Sequence, residues 1–200
     1  MSEVAELSAE IERLEEELME GRKRIERLRA RLPREDVADF ELLGWNGAVR
    51  LSEAFSGHDE LLVVHNMGSA CSYCTLWADG FNGILTHLES RAGFVVVSAD
   101  GIDIQQSFAK QRGWRFRMLS DPSGAFTTAM GFIRRESGGG HQWPGVSGLW
   151  RTPTGAIVRT GRSSFGPGDL FCPAWHLFGL LKNGSEGWEP CHAYPEESRQ

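Results

Sequence analysis

The chain has 200 residues, 40% of them hydrophobic, and a formal net charge of -6. So acidic a chain lacks the basic face that displaces counterions from a phosphate backbone, which excludes nucleic acid as the expected partner. No apolar run approaches the roughly 18 residues of a membrane span, the Glu-rich N-terminus does not read as a secretory signal, and four cysteines are too few for a disulfide-stapled secreted fold, so a cytoplasmic protein is expected.

The first element in chain order is a long helix. With Val4 at position a of a heptad, Val4, Ile11, Leu18, Ile25 and Leu32 occupy a, and Leu7, Leu14, Gly21 and Leu28 occupy d, until Pro33 stops the helix. The flanking e and g positions hold Glu10, Glu15 and Glu17 in the first half and Arg22, Arg24, Arg29 and Arg31 in the second. Opposite charges meet only when two copies run antiparallel, so the segment predicts an antiparallel homodimer through a coiled coil. The competing reading lays the stripe against the chain's own globular part.

From Asp36 the period changes. "DFELLGWNGAVRLSEAF" carries two short runs around Asn46-Gly47, a hairpin signal. Leu61 to His65 reads as a buried strand, and Cys71 to Glu89 carries a helical stripe of Cys74, Trp77, Phe81, Ile84, Leu85 and Leu88. "GFVVVSAD" is a second buried strand, and a helix from Asp103 to Arg112 follows it. Next come a strand at Trp114–Leu119, a turn at Asp121–Gly124 and a short helix through Met130. The Gly138–Gly140 run lacks the strand-to-helix setting of a phosphate cradle and is expected to be a flexible loop, so no cofactor is expected. A hairpin turning at Pro153–Gly155, a closing helix over "DLFCPAWHLFGLL" and an irregular tail complete the chain. The expected organisation is a helical extension over residues 1–33, a globular α/β domain over 36–182 with a mixed sheet flanked by helices, and a tail over 183–200.

The chemistry is expected at Cys71-Ser72-Tyr73-Cys74. A strand, a short loop and a helix start place Cys71 where unpaired backbone N–H groups and the helix dipole favour an anion, which lowers a thiol's pKa. Cys74 stands one turn further on and can resolve a mixed disulfide. Read blandly, the two are core thiols, but that leaves their place at a strand-to-helix switch without a reason.

The order strand, Cys-x-x-Cys, helix, strand, helix, hairpin, helix resembles the thioredoxin fold. The lead-in hairpin and "LSDPSGAFTTAMGF" resemble its peroxiredoxin branch. More closely, "SACSYCTLWADGFNG", "GWRFRMLSD" and "FGPGDLFCPAWHLFGLL" followed by "GWEP" resemble a bacterial thioredoxin-like family described as a domain of unknown function, whose members also begin with a charged helix. The resemblance implies a dithiol-disulfide oxidoreductase acting on a protein or small-molecule disulfide. In thioredoxins a buried acid precedes the first cysteine by six residues; here that slot holds His65, which is expected to move a proton to or from Cys74, although a histidine satisfied at a strand end fits the sequence equally. The proline facing the disulfide in thioredoxins would correspond to Pro144.

Two alternatives differ in chemistry. Peroxiredoxins have Thr-x-x-Cys, with Cys71 in the threonine's place, and an arginine where this chain has Val146, so the resemblance admits a thiol peroxidase without its cation. Cys71, Cys74, Cys172 and His176 also number a Cys3His set for a structural zinc in a non-enzymatic module; the spacing of Cys172, Pro173 and His176 does not decide the matter, and no metal is expected.

Overall fold

The computed structural model describes residues 2–136 and 139–195, and the chain divides into two units, residues 1–35 and 36–200. The first unit is α1 (Glu3–Arg31). Ser2 caps it by accepting a hydrogen bond from the Ala5 N–H at 3.4 Å. Glu3 and Glu6 occupy the first turn and Arg29 and Arg31 the last, each sign matched to the helix dipole. Along its length Glu10 and Glu17 both pair with Arg13, Glu20 pairs with Lys23 at 2.6 Å, and Glu26 with Arg22 at 3.5 Å. These exposed pairs are screened by solvent and contribute little to stability. The apolar heptad residues are all exposed, from 45% at Leu14 and Ile25 to 75% at Leu18.

The second unit is built on an eight-stranded sheet of β1 (Glu35–Val37), β2 (Glu41–Gly44), β3 (Gly47–Arg50), β4 (Glu60–His65), β5 (Gly93–Ser98), β6 (Arg117–Ser120), β9 (Gly145–Arg151) and β10 (Ile157–Ser164). Their order is β1-β10-β9-β4-β5-β6-β2-β3. β4, β5 and β6 run parallel, whereas β9 is antiparallel to β4, β10 to β9 and β2 to β6. A separate pair, β7 (Ile133–Glu136) and β8 (Gly139–Gln142), stands apart from this sheet. The helices are α2 (Ser72–Gly83), α3 (Leu85–Glu89), α4 (Ile102–Arg112), α5 (Ala125–Ala129) and α6 (Ala174–Phe178), with a 3-10 turn at Leu51–Phe55.

The central strands are apolar on both faces because both faces are covered. Leu61, Val63, Val95 and Val97 point to a cluster with Phe55, Phe126, Met130 and Phe132. Val64, Phe94 and Val96 point to the opposite cluster, where α2 contributes Trp77, Ala78 and Phe81. Strand alternation therefore decides which side chains α2 can meet.

Several expected boundaries differ. The single helix expected from Cys71 to Glu89 is two, because Ile84 leaves helical geometry at φ -109° directly after Gly83. The closing helix shrinks to the five residues of α6, held between Pro173 and Gly179. Of the expected glycine loop, Gly138 lies outside the described residues, while Gly139 and Gly140 open β8 and pair with Glu136 and Arg135. The first hairpin forms ahead of the central strands as expected, with Gly44 opposite Gly47 so that Trp45 and Asn46 make the turn, and it joins the main sheet through β6.

Candidate active site

The β4 strand ends at His65, and the loop Asn66–Ala70 carries the chain to Cys71, the N-cap of α2. Gly68 makes this path: its φ is +101°, and a Cβ there would stand 2.7 Å from the Asp100 carboxylate. That carboxylate accepts the Ser69 N–H at 2.7 Å. Asn66 fastens the other side, accepting the Gly68 N–H at 2.7 Å and donating to the Cys74 carbonyl at 3.4 Å, while Gln142 of β8 donates to the Asn66 carbonyl at 2.9 Å.

On this loop the sulfurs are in different settings. Cys71 is half-buried and its Sγ accepts the Cys74 N–H at 3.1 Å, as an N-cap side chain does. Cys74 is 2% exposed, and its Sγ accepts the Met67 N–H at 3.5 Å. The Cys71 thiol falls to about 6, chiefly because the Cys74 thiol donates to its thiolate, with the N–H groups of Cys74 and Tyr73 adding to this and burial opposing it. The same hydrogen bond, burial and the Cys71 charge push the Cys74 thiol up. Cys71 is thus the thiolate and Cys74 the proton-bearing partner. All four cysteines are free.

His65 stands elsewhere. It shares the parity of Leu61 and Val63, so its ring enters the cluster on the face opposite α2, stacked on Phe132 at 4.0 Å and Phe126 at 5.6 Å. Nε2 shares a hydrogen bond with Ser147 Oγ at 3.0 Å, and Nδ1 has no partner. Burial, and then the nearby Arg159 charge, lower its pKa to about 3. The expectation that His65 moves the Cys74 proton is corrected by this placement: the sheet separates the imidazole from α2, and the ring is neutral.

The residues weighed for zinc do not assemble. His176 Nε2 bonds the Asp169 carbonyl at 2.8 Å, Cys172 is buried in the α2-side cluster, and no group of three or more metal-ligating side chains exists among the described residues. Val146 packs against the same apolar cluster, so the slot of the peroxiredoxin arginine holds a hydrocarbon. Pro144 precedes β9, and no cis peptide bond occurs among the described residues. A concavity of ≈ 530 Å³ between Gly44–Val49 and Arg115–Met118 touches none of the predicted site residues.

What the sequence reading missed is the wall beside the thiols. Asp169 accepts the Trp77 Nε1–H at 3.0 Å and the N–H groups of Gly166, Phe171 and Cys172 at 2.9, 2.7 and 3.1 Å. This fixes the C-terminal segment over α2. Trp175 then lies parallel to Tyr73, at 6.1 Å and 7°, and tilted on Trp77 at 5.5 Å. Trp188 meets Trp175 edge-on at 5.6 Å. Burial, followed by the nearby Glu189 charge, raises the Tyr73 hydroxyl's pKa.

Solved structures similar to this strand-and-helix plan include peroxiredoxins. A cysteine-to-serine mutant of Xylella fastidiosa PrxQ matches at 16% identity and a TM-score of 0.55, over 66% of this chain and 84% of that one. Xanthomonas campestris peroxiredoxin Q matches at 21% and 0.54, over 68% and 87%. Reduced Prx3 from Vibrio vulnificus, in complex with hydrogen peroxide, matches at 16% and 0.53, over 70% and 88%. At these identities the likeness establishes the fold alone: the chain has a thioredoxin-like fold laid out as in these peroxiredoxins. More narrowly, residues 5–188 match the family described as bacterial protein of unknown function (DUF899), and the chain belongs to that family. No curated protein matches the chain.

Proposed function

We propose that the protein is a thiol-disulfide oxidoreductase of the cytoplasm. The Cys71 thiolate attacks one sulfur of a substrate disulfide; the S–S bond breaks, and the departing thiolate takes a proton from water. Cys74 gives its proton to solvent and attacks Cys71 Sγ, which forms the Cys71–Cys74 disulfide and releases the second substrate thiol. Two electrons pass from the dithiol to the substrate, and an external dithiol or thiol reductant restores the pair. The observation that carries this reading is the 3.1 Å hydrogen bond from the Cys74 N–H to Cys71 Sγ, which sets a thiolate at a helix start with a second thiol one turn away. His65 takes no part in proton transfer in this scheme. Its test is insulin or small-disulfide reduction by the full chain: Cys71→Ser abolishes exchange, and Cys74→Ser traps a covalent adduct. Full activity in both variants refutes the assignment.

A thiol peroxidase is the second reading, favoured by the peroxiredoxin plan of the fold. The position equivalent to the peroxiredoxin cysteine is Cys74, whose thiol is buried and pushed up rather than down, and Val146 supplies no charge. Consumption of hydrogen peroxide faster than by a free thiol, lost in Cys74→Ser and kept in Cys71→Ser, would favour the peroxidase.

The assembly we propose is an antiparallel homodimer through α1. Its uncovered apolar stripe supports this, as does the charge pattern that sets Glu10 against Arg31, Glu15 against Arg22 and Glu17 against Arg24. Light scattering on the full chain should report a dimer, and Ile11→Glu with Leu18→Glu a monomer; equal masses for both contradict the proposal.

A further inference from the structure

Gln105 of α4 is 1% exposed. Its Nε2 donates to Ser98 Oγ at 2.9 Å and to the Leu119 carbonyl at 3.0 Å, which ties the ends of β5 and β6 together. Both amide hydrogens are thereby used, and because a carbonyl can only accept, the Leu119 bond fixes which end of the amide is nitrogen. Oε1 is the polar atom left over, and it meets no donor among the described residues. Buried amide oxygens rarely stay without one, since nothing then offsets the loss of their hydration. Gln105 lines a cavity of ≈ 10 Å³ together with Ser98, Asp100, Asn66, Gly68 and Ser69, directly beneath the loop that leads to Cys71. That space holds one water molecule. The hydrogens also match. Oε1 needs a donor, the Asp100 carboxylate can accept beyond the Ser69 N–H it holds at 2.7 Å, and the Ser98 hydroxyl, which accepts from Gln105, keeps its own hydrogen to give. A water with two donors and a free lone pair completes three bonds, the usual number for a buried one.

We propose that one water molecule is bound in this cavity, donating to Gln105 Oε1 and the Asp100 carboxylate and accepting from the Ser98 hydroxyl, and that Gln105 thereby acts as a positioning residue for the loop that carries Cys71. The path is short. The Asp100 carboxylate holds the Ser69 N–H, two residues before Cys71, and Gly68 rests against it so closely that a Cβ there would stand 2.7 Å from Oδ1. A carboxylate braced from below holds Gly68 and Ser69 in place, and with them the approach of Cys71 Sγ to the Cys74 N–H at 3.1 Å. Gln105 touches neither sulfur in this arrangement and acts only through the water and Asp100.

The test begins with a high-resolution crystal structure of the reduced full chain. A solvent peak should stand at about 2.7 to 3.2 Å from Gln105 Oε1, the Asp100 carboxylate and Ser98 Oγ. An empty cavity overturns the proposal, and so does a peak ringed by six or more oxygens at about 2.3 to 2.6 Å, which would be a metal cation. Gln105→Met keeps the length of the side chain and removes the oxygen. The peak should then vanish, and the pH midpoint of Cys71 alkylation by iodoacetamide should rise by about half a unit as the N–H groups facing the thiolate lose their alignment. Ser147→Ala strips a buried hydrogen bond on the far face of the sheet, beside His65, and should leave that midpoint in place. A midpoint unmoved in Gln105→Met, or moved equally by Ser147→Ala, overturns the positioning role. Neither the density nor the alkylation midpoint requires turnover, so a failure of disulfide exchange leaves this inference standing, and its own failure leaves exchange untouched.

Discussion

The backbone N–H of Cys74 points at Cys71 Sγ across 3.1 Å, while the Cys74 sulfur is turned inward to the N–H of Met67 at 3.5 Å. One backbone turn thus gives the two thiols opposite protonation preferences. The hydrogen bond from the Cys74 thiol, aided by the N–H groups of the helix start, stabilises the Cys71 anion, and that same bond, with burial, keeps the Cys74 proton.

A first consequence concerns alkylation. The rate of iodoacetamide modification at Cys71 should follow the thiolate fraction, with a midpoint near the value of about 6 to which its pKa is lowered. Reactivity is lost as pH falls through that midpoint. Cys74→Ala removes the S–H donor but keeps the N–H donors, so the midpoint should rise by about one unit or more. Mass spectrometry of the alkylated peptide reads this directly; an unshifted midpoint would show that the Cys74 sulfur has no role in holding the anion.

The second prediction separates the two steps of exchange. With the imidazole of His65 on the far face of the sheet, the proposed scheme has Cys74 give its proton to solvent; the bond to Cys71 and the Cys71 charge are lost in the mixed disulfide, and burial is the cause that still pushes the Cys74 thiol up. Resolution of a preformed Cys71 mixed disulfide should therefore accelerate about tenfold per pH unit above neutrality, following the Cys74 thiolate fraction. Quenched-flow trapping of the mixed species measures it. A rate independent of pH would require a base that accepts the Cys74 proton.

The third prediction follows from burying a neutral histidine. His65 titrates near 6.5 when unfolded and near about 3 when folded. The folded value is the depressed one, so the unfolded chain binds the extra proton first as pH drops. Stability is complete above about pH 6.5 and declines below it by up to about 1.4 kcal/mol per unit, until the folded form also titrates. Urea unfolding midpoints across this range should show that slope. His65→Phe should flatten it, even if the loss of the Ser147 hydrogen bond lowers stability at every pH.

Asp169 gives a fourth. Its carboxylate gathers one indole and three backbone N–H groups, so Asp169→Ala leaves several donors short of partners and should cost about 2 to 3 kcal/mol. Trp77→Phe removes a single donor and should cost less, about 1 kcal/mol. The order of urea midpoints, wild type above Trp77→Phe above Asp169→Ala, checks the assignment.

Much of this architecture is visible in the chain before folding is considered. Leu61–His65 and Gly93–Ser98 read as buried strands because unbroken apolar runs need two covered faces. The cysteine pair is legible because its placement after a strand and loop is local. The role of His65 is not: parity along β4 puts it with Leu61 and Val63, but which face α2 covers depends on packing between distant segments. Asp169 is similar. "GPGD" announces a turn, yet nothing nearby signals that its carboxylate meets an indole 92 residues away. The closing helix is shorter than its pattern suggests because an apolar stripe alone does not extend α6 past Gly179. The exposed heptads of α1 are legible throughout, since a repeat needs only its own sequence to be recognised.

The central claim is that Cys71 and Cys74 form a reversible redox couple, and a redox titration of the full chain with mass-spectrometric mapping of the linked sulfurs tests it most directly. The account predicts a single two-electron transition in which Cys71 joins Cys74 while Cys172 and Cys191 remain thiols. A Cys71 that stays reduced across the titration, or that pairs with Cys172 or Cys191, would contradict it.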